Sequence, residues 1–258
     1  IPYSLDREYL AKELGFSQVS RNSLDAVSDR DFILEYEAAA SICMVHLSRL
    51  AEELVLWSTQ EFGFLELDDA FTTGSSIMPQ KKNSDVAELG RGKAGRVFGH
   101  LTATLAMMKG LPLSYNRDMQ EDKEALFDTV DTINNSLRVF TGVLSTVTVN
   151  RGKMKKACQE GYLLATDIAD YLVKKGMPFR EAHSVVGELV KIAVSRNKRF
   201  EDLKIEDYKK LSPFFSDDIF EISLESSISA RDLPGGTSPN QVKKALIRAK
   251  KLLEDEKK

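Results

Sequence analysis

Cysteine is scarce in this sequence: Cys43 and Cys158 stand far apart among 258 residues, in no CxxC or CxxH spacing. That excludes a disulfide framework and argues against a zinc site, as in a protein of a reducing compartment. An excess of charge of one sign is also missing. Thirty-six Lys and Arg face 39 Asp and Glu, a formal net charge of −3, so neither nucleic acid nor a membrane surface is expected as a partner. No apolar run approaches the roughly 18 to 20 residues needed to span a bilayer. The opening Ile1-Pro2-Tyr3 has no signal-peptide pattern, and a cytoplasmic protein is the expectation. Repeats, low-complexity tracts and alternating β patterns are absent too. The chain begins without Met and passes at once into a helix-like stretch, Leu5 to Leu14, so it reads as a piece of something longer.

What the sequence has is long helical periodicity. Ile33, Tyr36, Ala40, Cys43, Leu47, Leu50, Leu54 and Trp57 recur in steps of three and four, one stripe facing a core for many turns. Ser28 with Asp31 offers a capping start and Gly63 a stop. A second stripe runs Leu126, Val130, Ile133, Leu137, Phe140, Leu144 and Val147, opened by Asp118 with Glu121. Between them Asp85 to Lys109 reads as a third helix, closed by Gly110 and Pro112 and carrying Gly90, Gly92, Gly95 and Gly99. Each interior glycine costs about 1 kcal/mol against alanine, so these four predict close backbone approach on their face. After Asn150 and Gly152 the segments shorten: Lys153 to Lys175, Pro178 to Ser195, a polar stretch, then Pro239 to Asp255 with Ser238 as cap and a Lys-rich, solvated end. The predicted fold class is therefore all-α. A long-helix bundle domain over 1–150 is followed by a small helical domain over 151–258.

The segment Phe64 to Asn83 has no helical period, and a loop of that length in a helical protein is usually functional or mobile. Its core, Gly74-Ser75-Ser76-Ile77-Met78-Pro79-Gln80-Lys81-Lys82-Asn83, combines a permissive glycine, two hydroxyls, two lysines and a following helix N-terminus. Those are the parts of an anion site beside a proton-abstracting group. On composition alone the same residues also fit a solvated polar loop.

This decapeptide resembles the GSSxMPxKxN loop of the fumarase, aspartase and argininosuccinate lyase superfamily. Pro79-Gln-Lys-Lys-Asn83, Lys93-Ala-Gly-Arg-Val-Phe98 and Tyr115-Asn-Arg-Asp-Met-Gln-Glu-Asp-Lys-Glu124 are similar to argininosuccinate lyases in particular. So are Arg21-Asn-Ser-Leu-Asp-Ala-Val-Ser-Asp-Arg-Asp-Phe32 and Thr166-Asp-Ile-Ala-Asp-Tyr-Leu172, and the likeness covers essentially the whole chain. The resemblance implies β-elimination of argininosuccinate to arginine and fumarate, the last step of arginine biosynthesis, with no metal or organic cofactor and in a homotetramer. Ser75 would be the base that takes the substrate proton, Lys81 the cation that favours both its alkoxide and the charged intermediate, and Asn83 a hydrogen-bond donor to the same carboxylate or an organiser of the loop. Ser76 would assist, and Tyr115, Gln120 and Lys123 would hold the substrate. Glu88 would pair with a histidine that lies, with a Thr-His motif, upstream of this chain's start. The family's serine-arginine-asparagine substrate loop is expected upstream as well. His46, His100 and His183 match no catalytic motif and are assigned structural roles. Ser84 stands where many relatives have proline, which leaves the loop-to-helix junction less stiff. By this reading the chain alone completes no active site. The alternatives are a structural relative of the delta-crystallin kind and a sister fumarate-forming lyase.

Overall fold

The computed structural model describes residues 3–255, so the ends of the chain, 1–2 and 256–258, lie outside the described residues. The chain divides into two compact units, Ile1–Asn150 and Arg151–Lys258. No helix among the described residues is long and apolar enough to cross a membrane.

The first unit opens with two short helices, α1 (Arg7–Glu13) and α2 (Ser23–Ser28), capped by the Asp6 and Asn22 side chains. Three long helices follow: α3 (Asp31–Ser58), α4 (Asp85–Met108) and α5 (Asp122–Thr146). Cross-helix contacts show α4 running against the other two. Arg91 reaches Glu52 near the far end of α3, and His100 Nδ1 lies 3.0 Å from Thr129 Oγ1 near the start of α5.

Ser28 does not cap α3. It is the last residue of α2, its hydroxyl donating to Asp25 O at 2.9 Å, and the Asp29 carboxylate instead accepts from Asp31 N at 2.7 Å. Asn22 had already nucleated a helical turn that consumed Ser28. Gly63 adopts φ +53° in the turn after α3, several residues past the helix end at Ser58. The helix over 85–109 ends as expected, with Gly110 at φ +79°. Of its glycines only Gly90 meets a neighbour: a Cβ there would lie 2.5 Å from the Phe140 ring, whereas Gly92, Gly95 and Gly99 have nothing within 4 Å. The expected close approach thus holds at one position within the chain. A 3₁₀ turn, Arg117–Glu121, leads into α5 without a side-chain cap.

The expected β-free chain needs a correction. Among the described residues two antiparallel pairs occur, β1 (Leu65–Glu66) with β4 (Thr148–Val149) and β2 (Thr73–Gly74) with β3 (Lys82–Asn83). Strands of two residues carry no period-2 signal.

The inner face of the bundle is more polar than the stripes suggested. Glu37, Ser41, Thr104, Thr129, Thr132 and Ser136 are buried, while Tyr36, Leu137 and Leu144, counted toward the stripes, are exposed. The packed face of α3 keeps Ile33, Ala40 and Leu54 of the stripe, with Cys43, Leu47 and Leu50 partly buried against the core, and widens to take in Glu37, Ser41, Met44 and Ala51.

The second unit comprises α6 (Arg151–Cys158), α7 (Ala165–Lys174), α8 (Phe179–Ser195), α9 (Ile205–Lys209), α10 (Leu224–Ala230) and α11 (Pro239–Asp255). The single segment expected over Lys153 to Lys175 is interrupted between α6 and α7, where Gly161 and Tyr162 take φ +75° and +59°. The stretch read as polar supplies Phe200, Leu203, Tyr208, Phe215 and Ile219 to the core. Its helical turns are too short to show a period. Ser238 does cap α11, accepting from Gln241 N at 3.2 Å.

Candidate active site

The decapeptide loop is a closed hairpin. Thr73 pairs with Asn83 and Gly74 with Lys82, so Ser75 and Lys81 are the first residues beyond the ladder on opposite sides of its mouth. A Cβ at Gly74 would come within 4.0 Å of Lys81 O. A ladder of two pairs is marginal by itself, and polar braces hold its foot. The Thr73 hydroxyl donates to Asp85 in the first turn of α4, and Lys82 Nζ sits 2.6 Å from Asp69 and 3.6 Å from Glu66. The Asp69 carboxylate holds the Lys82 ammonium above its ordinary value.

Ser75 is half-buried, and its Oγ accepts from Ile77 N at 3.2 Å and Met78 N at 3.1 Å. Two backbone donors on one hydroxyl oxygen favour the alkoxide over the alcohol, because hydrogen bonds to a charged form strengthen with the charge. With Lys82 engaged in the brace, Lys81 is exposed and makes no ion pair among the described residues. It is the loop cation left to meet an anion. Ser76 is exposed, Asn83 half-buried, and Glu88 exposed in the first turn of α4, where its backbone N–H donates to Ser84 O at 3.0 Å.

The second group lies elsewhere. Tyr115 follows Ser114, which takes φ +76°. Gln120 belongs to the 3₁₀ turn anchored by buried Met119, and Lys123 is the second residue of α5, its Nζ 2.9 Å from Asp122 Oδ1. The hairpin feeds the start of α4 and this stretch follows its end. With 24 residues in α4 and a rise of 1.5 Å each, the two groups are separated by about 36 Å along the helix. The structure brings Ser75, Lys81, Lys82 and Asn83 together at one end of the bundle. It does not bring Tyr115, Gln120 or Lys123 to them within one chain.

The histidines are dispersed. His46 is exposed on α3, His183 lies 6.3 Å from the Phe179 ring, and His100 joins Thr129 and, at 3.4 Å, Asp128, which also pairs with Arg96. Sequence reasoning passed over the Ile77 and Met78 amides, the Asp69, Glu66 and Asp85 braces, and the pair Arg30–Asp122. Ile77, Met78, Arg30 and Asp122 carried a signal, since they lie inside stretches quoted for the resemblance, and the three acidic braces did not.

The bundle that carries this loop has the fold of a solved lyase. EDDS lyase, solved with formate, superposes with a TM-score of 0.89 at 28% identity, over all of this chain and 53% of that one. A class II fumarase from Schistosoma mansoni shares the fold at TM-score 0.65 and 19% identity, over 83% of this chain and 45% of the fumarase. Residues 2–99 match the Lyase family and residues 162–229 the argininosuccinate lyase C-terminal family. An argininosuccinate lyase of Dehalococcoides mccartyi is 60% identical over 253 residues, 98% of this chain and 55% of the relative. The chain belongs to the argininosuccinate lyase family, within the fumarase/aspartase superfamily. It spans about half the length of the curated relatives it matches.

Proposed function

We propose that the protein to which this chain belongs is an argininosuccinate lyase, eliminating arginine from argininosuccinate to leave fumarate. The observation that carries the reading is the braced hairpin, in which Ser75 Oγ receives two backbone N–H groups while Lys81 stands uncommitted at the same mouth. In the proposed step Ser75, as alkoxide, removes a proton from the carbon next to the one bearing the guanidinium nitrogen. The electron pair spreads into the adjacent carboxylate, whose growing charge Lys81 offsets, with Asn83 and Ser76 as further donors. The carbon–nitrogen bond then breaks, and the departing nitrogen takes a proton from an acid outside these residues. The resemblance implies that this acid involves a histidine, with which Glu88 would pair.

Tyr115, Gln120 and Lys123 are proposed to bind substrate in a site completed by other copies. Their separation of about 36 Å from Ser75 along α4 favours a homotetramer in which one copy's hairpin meets another copy's α5 start. Exposed Ile42, Val45, Leu89, Phe98, Leu105 and Phe127 on the long helices support self-association. The same reading carries a cytoplasmic location and two domains, 1–150 and 151–258.

Fumarate release, followed by ultraviolet absorbance, tests the activity with this chain alone and with the upstream part of the Dehalococcoides mccartyi relative supplied. Turnover only after the addition is expected. Silence from a folded tetramer containing both parts would move the assignment to a structural relative or another substrate. Light scattering reads the assembly, and a stable monomer at micromolar concentration would contradict it.

A further inference from the structure

Asp122 is the first residue of α5, where an exposed carboxylate would already complement the helix dipole. It is instead 3% exposed, and burying a charge is costly unless it is matched by partners. Both of its oxygens are taken. Oδ2 accepts from Arg30 Nε at 2.5 Å, and Oδ1 accepts from Lys123 Nζ at 2.9 Å. Arg30 comes from the connector between α2 and α3 and is itself fixed, its Nη1 donating to Asp29 O at 2.6 Å. A second tie joins the same regions, Ser114 N donating to Leu24 O at 3.3 Å just before Tyr115. Burial pushes the Asp122 carboxyl up, but the hydrogen bonds from Lys123 and Arg30 outweigh it and leave it below its ordinary value.

The charges of this trio decide what it can do. Asp122 with Lys123 alone would be a neutral pair, a poor receptor for a substrate carboxylate. Arg30 restores a net charge of about +1 to the group while occupying the oxygen that would otherwise repel an anion. The Lys123 side chain stays 59% exposed, whereas the Asp122 side chain is 4% exposed. The ammonium therefore keeps donors free on its solvent side, with one donor pinned from behind. A lysine stem has four rotatable bonds, and a pinned ammonium meets its ligand with less orientational freedom to lose.

We propose that Asp122 and Arg30 are positioning residues for Lys123, aiming its ammonium at the substrate and keeping the trio cationic. The proposal rests on the reading of Lys123 as a substrate-binding residue of the lyase.

The test is steady-state kinetics of the complete enzyme carrying Asp122→Asn, Arg30→Gln, Arg30→Lys, Lys123→Met and the pairings of the first two with Lys123→Met. Asp122→Asn and Arg30→Gln should each raise KM by about tenfold with kcat changed by less than about threefold, the pattern of lost binding rather than lost chemistry. Arg30→Lys should recover part of that loss. Once Lys123 is Met, neither further change should raise KM more than about twofold, because the group they position is gone. Additive effects on KM with a parallel fall in the thermal midpoint would reduce the pair to a structural brace and overturn the proposal, as would an unchanged KM in folded Asp122→Asn. Should Asp122→Asn fail to fold, Arg30→Gln decides by the same criteria. Absence of argininosuccinate turnover in the wild type would sink the lyase reading and this proposal with it. Wild-type turnover with uncoupled KM effects would sink the positioning pair alone.

Discussion

Thirteen buried hydrophobic residues of Arg151–Lys258 form one cluster, whereas the longer unit Ile1–Asn150 divides its own into clusters of six and five. The shorter unit packs aromatics deep: Tyr208 stands edge-on to Phe215 and Phe220 and donates its hydroxyl to Phe200 O at 2.9 Å. The longer unit turns hydroxyls and a carboxylate inward and leaves large apolar side chains outside. Among its buried hydroxyls Ser136 is satisfied by its own helix backbone, donating to Thr132 O at 2.7 Å, and Thr129 Oγ1 lies 3.0 Å from His100 Nδ1. The exposed apolar faces have no such internal solution, and a contiguous apolar surface is usually an interface. One unit closes a single apolar core, and the other divides its core and lines it with polar groups, while both leave large apolar side chains exposed.

The largest expected effect falls in the unit with the single core. Leu189 of α8 is fully buried, so Leu189→Ala should cost about 2–5 kcal/mol, transfer and cavity together. Leu137→Ala, at a 43% exposed position of α5, should cost less than about 0.5 kcal/mol in the dissociated chain yet weaken self-association. Denaturant midpoints at low concentration and light scattering at high concentration measure the two. Equal stability losses would break the contrast between the units.

A smaller effect, opposite in sign, is expected at Glu37. Neither carboxylate oxygen has a hydrogen-bond partner among the described residues, nor do Ser41 Oγ and Thr104 Oγ1. Glu37→Leu should therefore stabilise the bundle by about 1–3 kcal/mol, the cost of an unsatisfied buried group removed. Burial raises the Glu37 pKa above its ordinary 4.5, with the nearby Thr104 hydroxyl and then His100 opposing. Between 4.5 and the raised value the folded chain holds a proton that the unfolded chain releases. This contribution is whole below 4.5 and fades as pH rises. Wild type should thus lose stability relative to Glu37→Gln as pH rises above 4.5, and parallel pH profiles would rule the mechanism out.

Periodicity made the three long helices legible, since only helix-on-helix packing covers stripes of that length. It marks only part of the buried face of α3, because an apolar stripe shows what must be covered and not what covers it: the stripe includes the exposed Tyr36 and omits Glu37, polar and fully buried. The bundle leaves apolar residues such as Ile42 and Leu137 exposed while its inner face is partly polar, and one sequence does not say which face is which. The hairpin loop was legible through its residue types. The braces that shape it were not, because Asp69, Glu66 and Asp85 look like ordinary surface acids until the chain folds back. The separation of Ser75 from Lys123 needed the direction of α4 and its length, which the periodic stripe supplied only in part.

The smallest expected effect returns to the shorter unit, at an exposed network. The Tyr171 hydroxyl donates to Asp218, as does the Ser216 hydroxyl at 2.8 Å, and Lys175 Nζ lies 3.0 Å away while resting 4.4 Å over the Tyr171 ring. These donors, Tyr171 foremost, hold the Asp218 carboxyl at about 2, below its ordinary 3.8. The sign is the reverse of that for Glu37. The stabilisation is present above 3.8 and is lost as pH falls toward 2, where the folded chain must also take up the proton. Asp218→Asn should lower stability slightly at neutral pH and flatten the acid limb of the profile between pH 4 and pH 2. Thermal midpoints of the two chains across that window measure it. Curves that stay parallel through the window would mean that solvent already screens this exposed network, and that the shorter unit owes its stability to its apolar cluster alone.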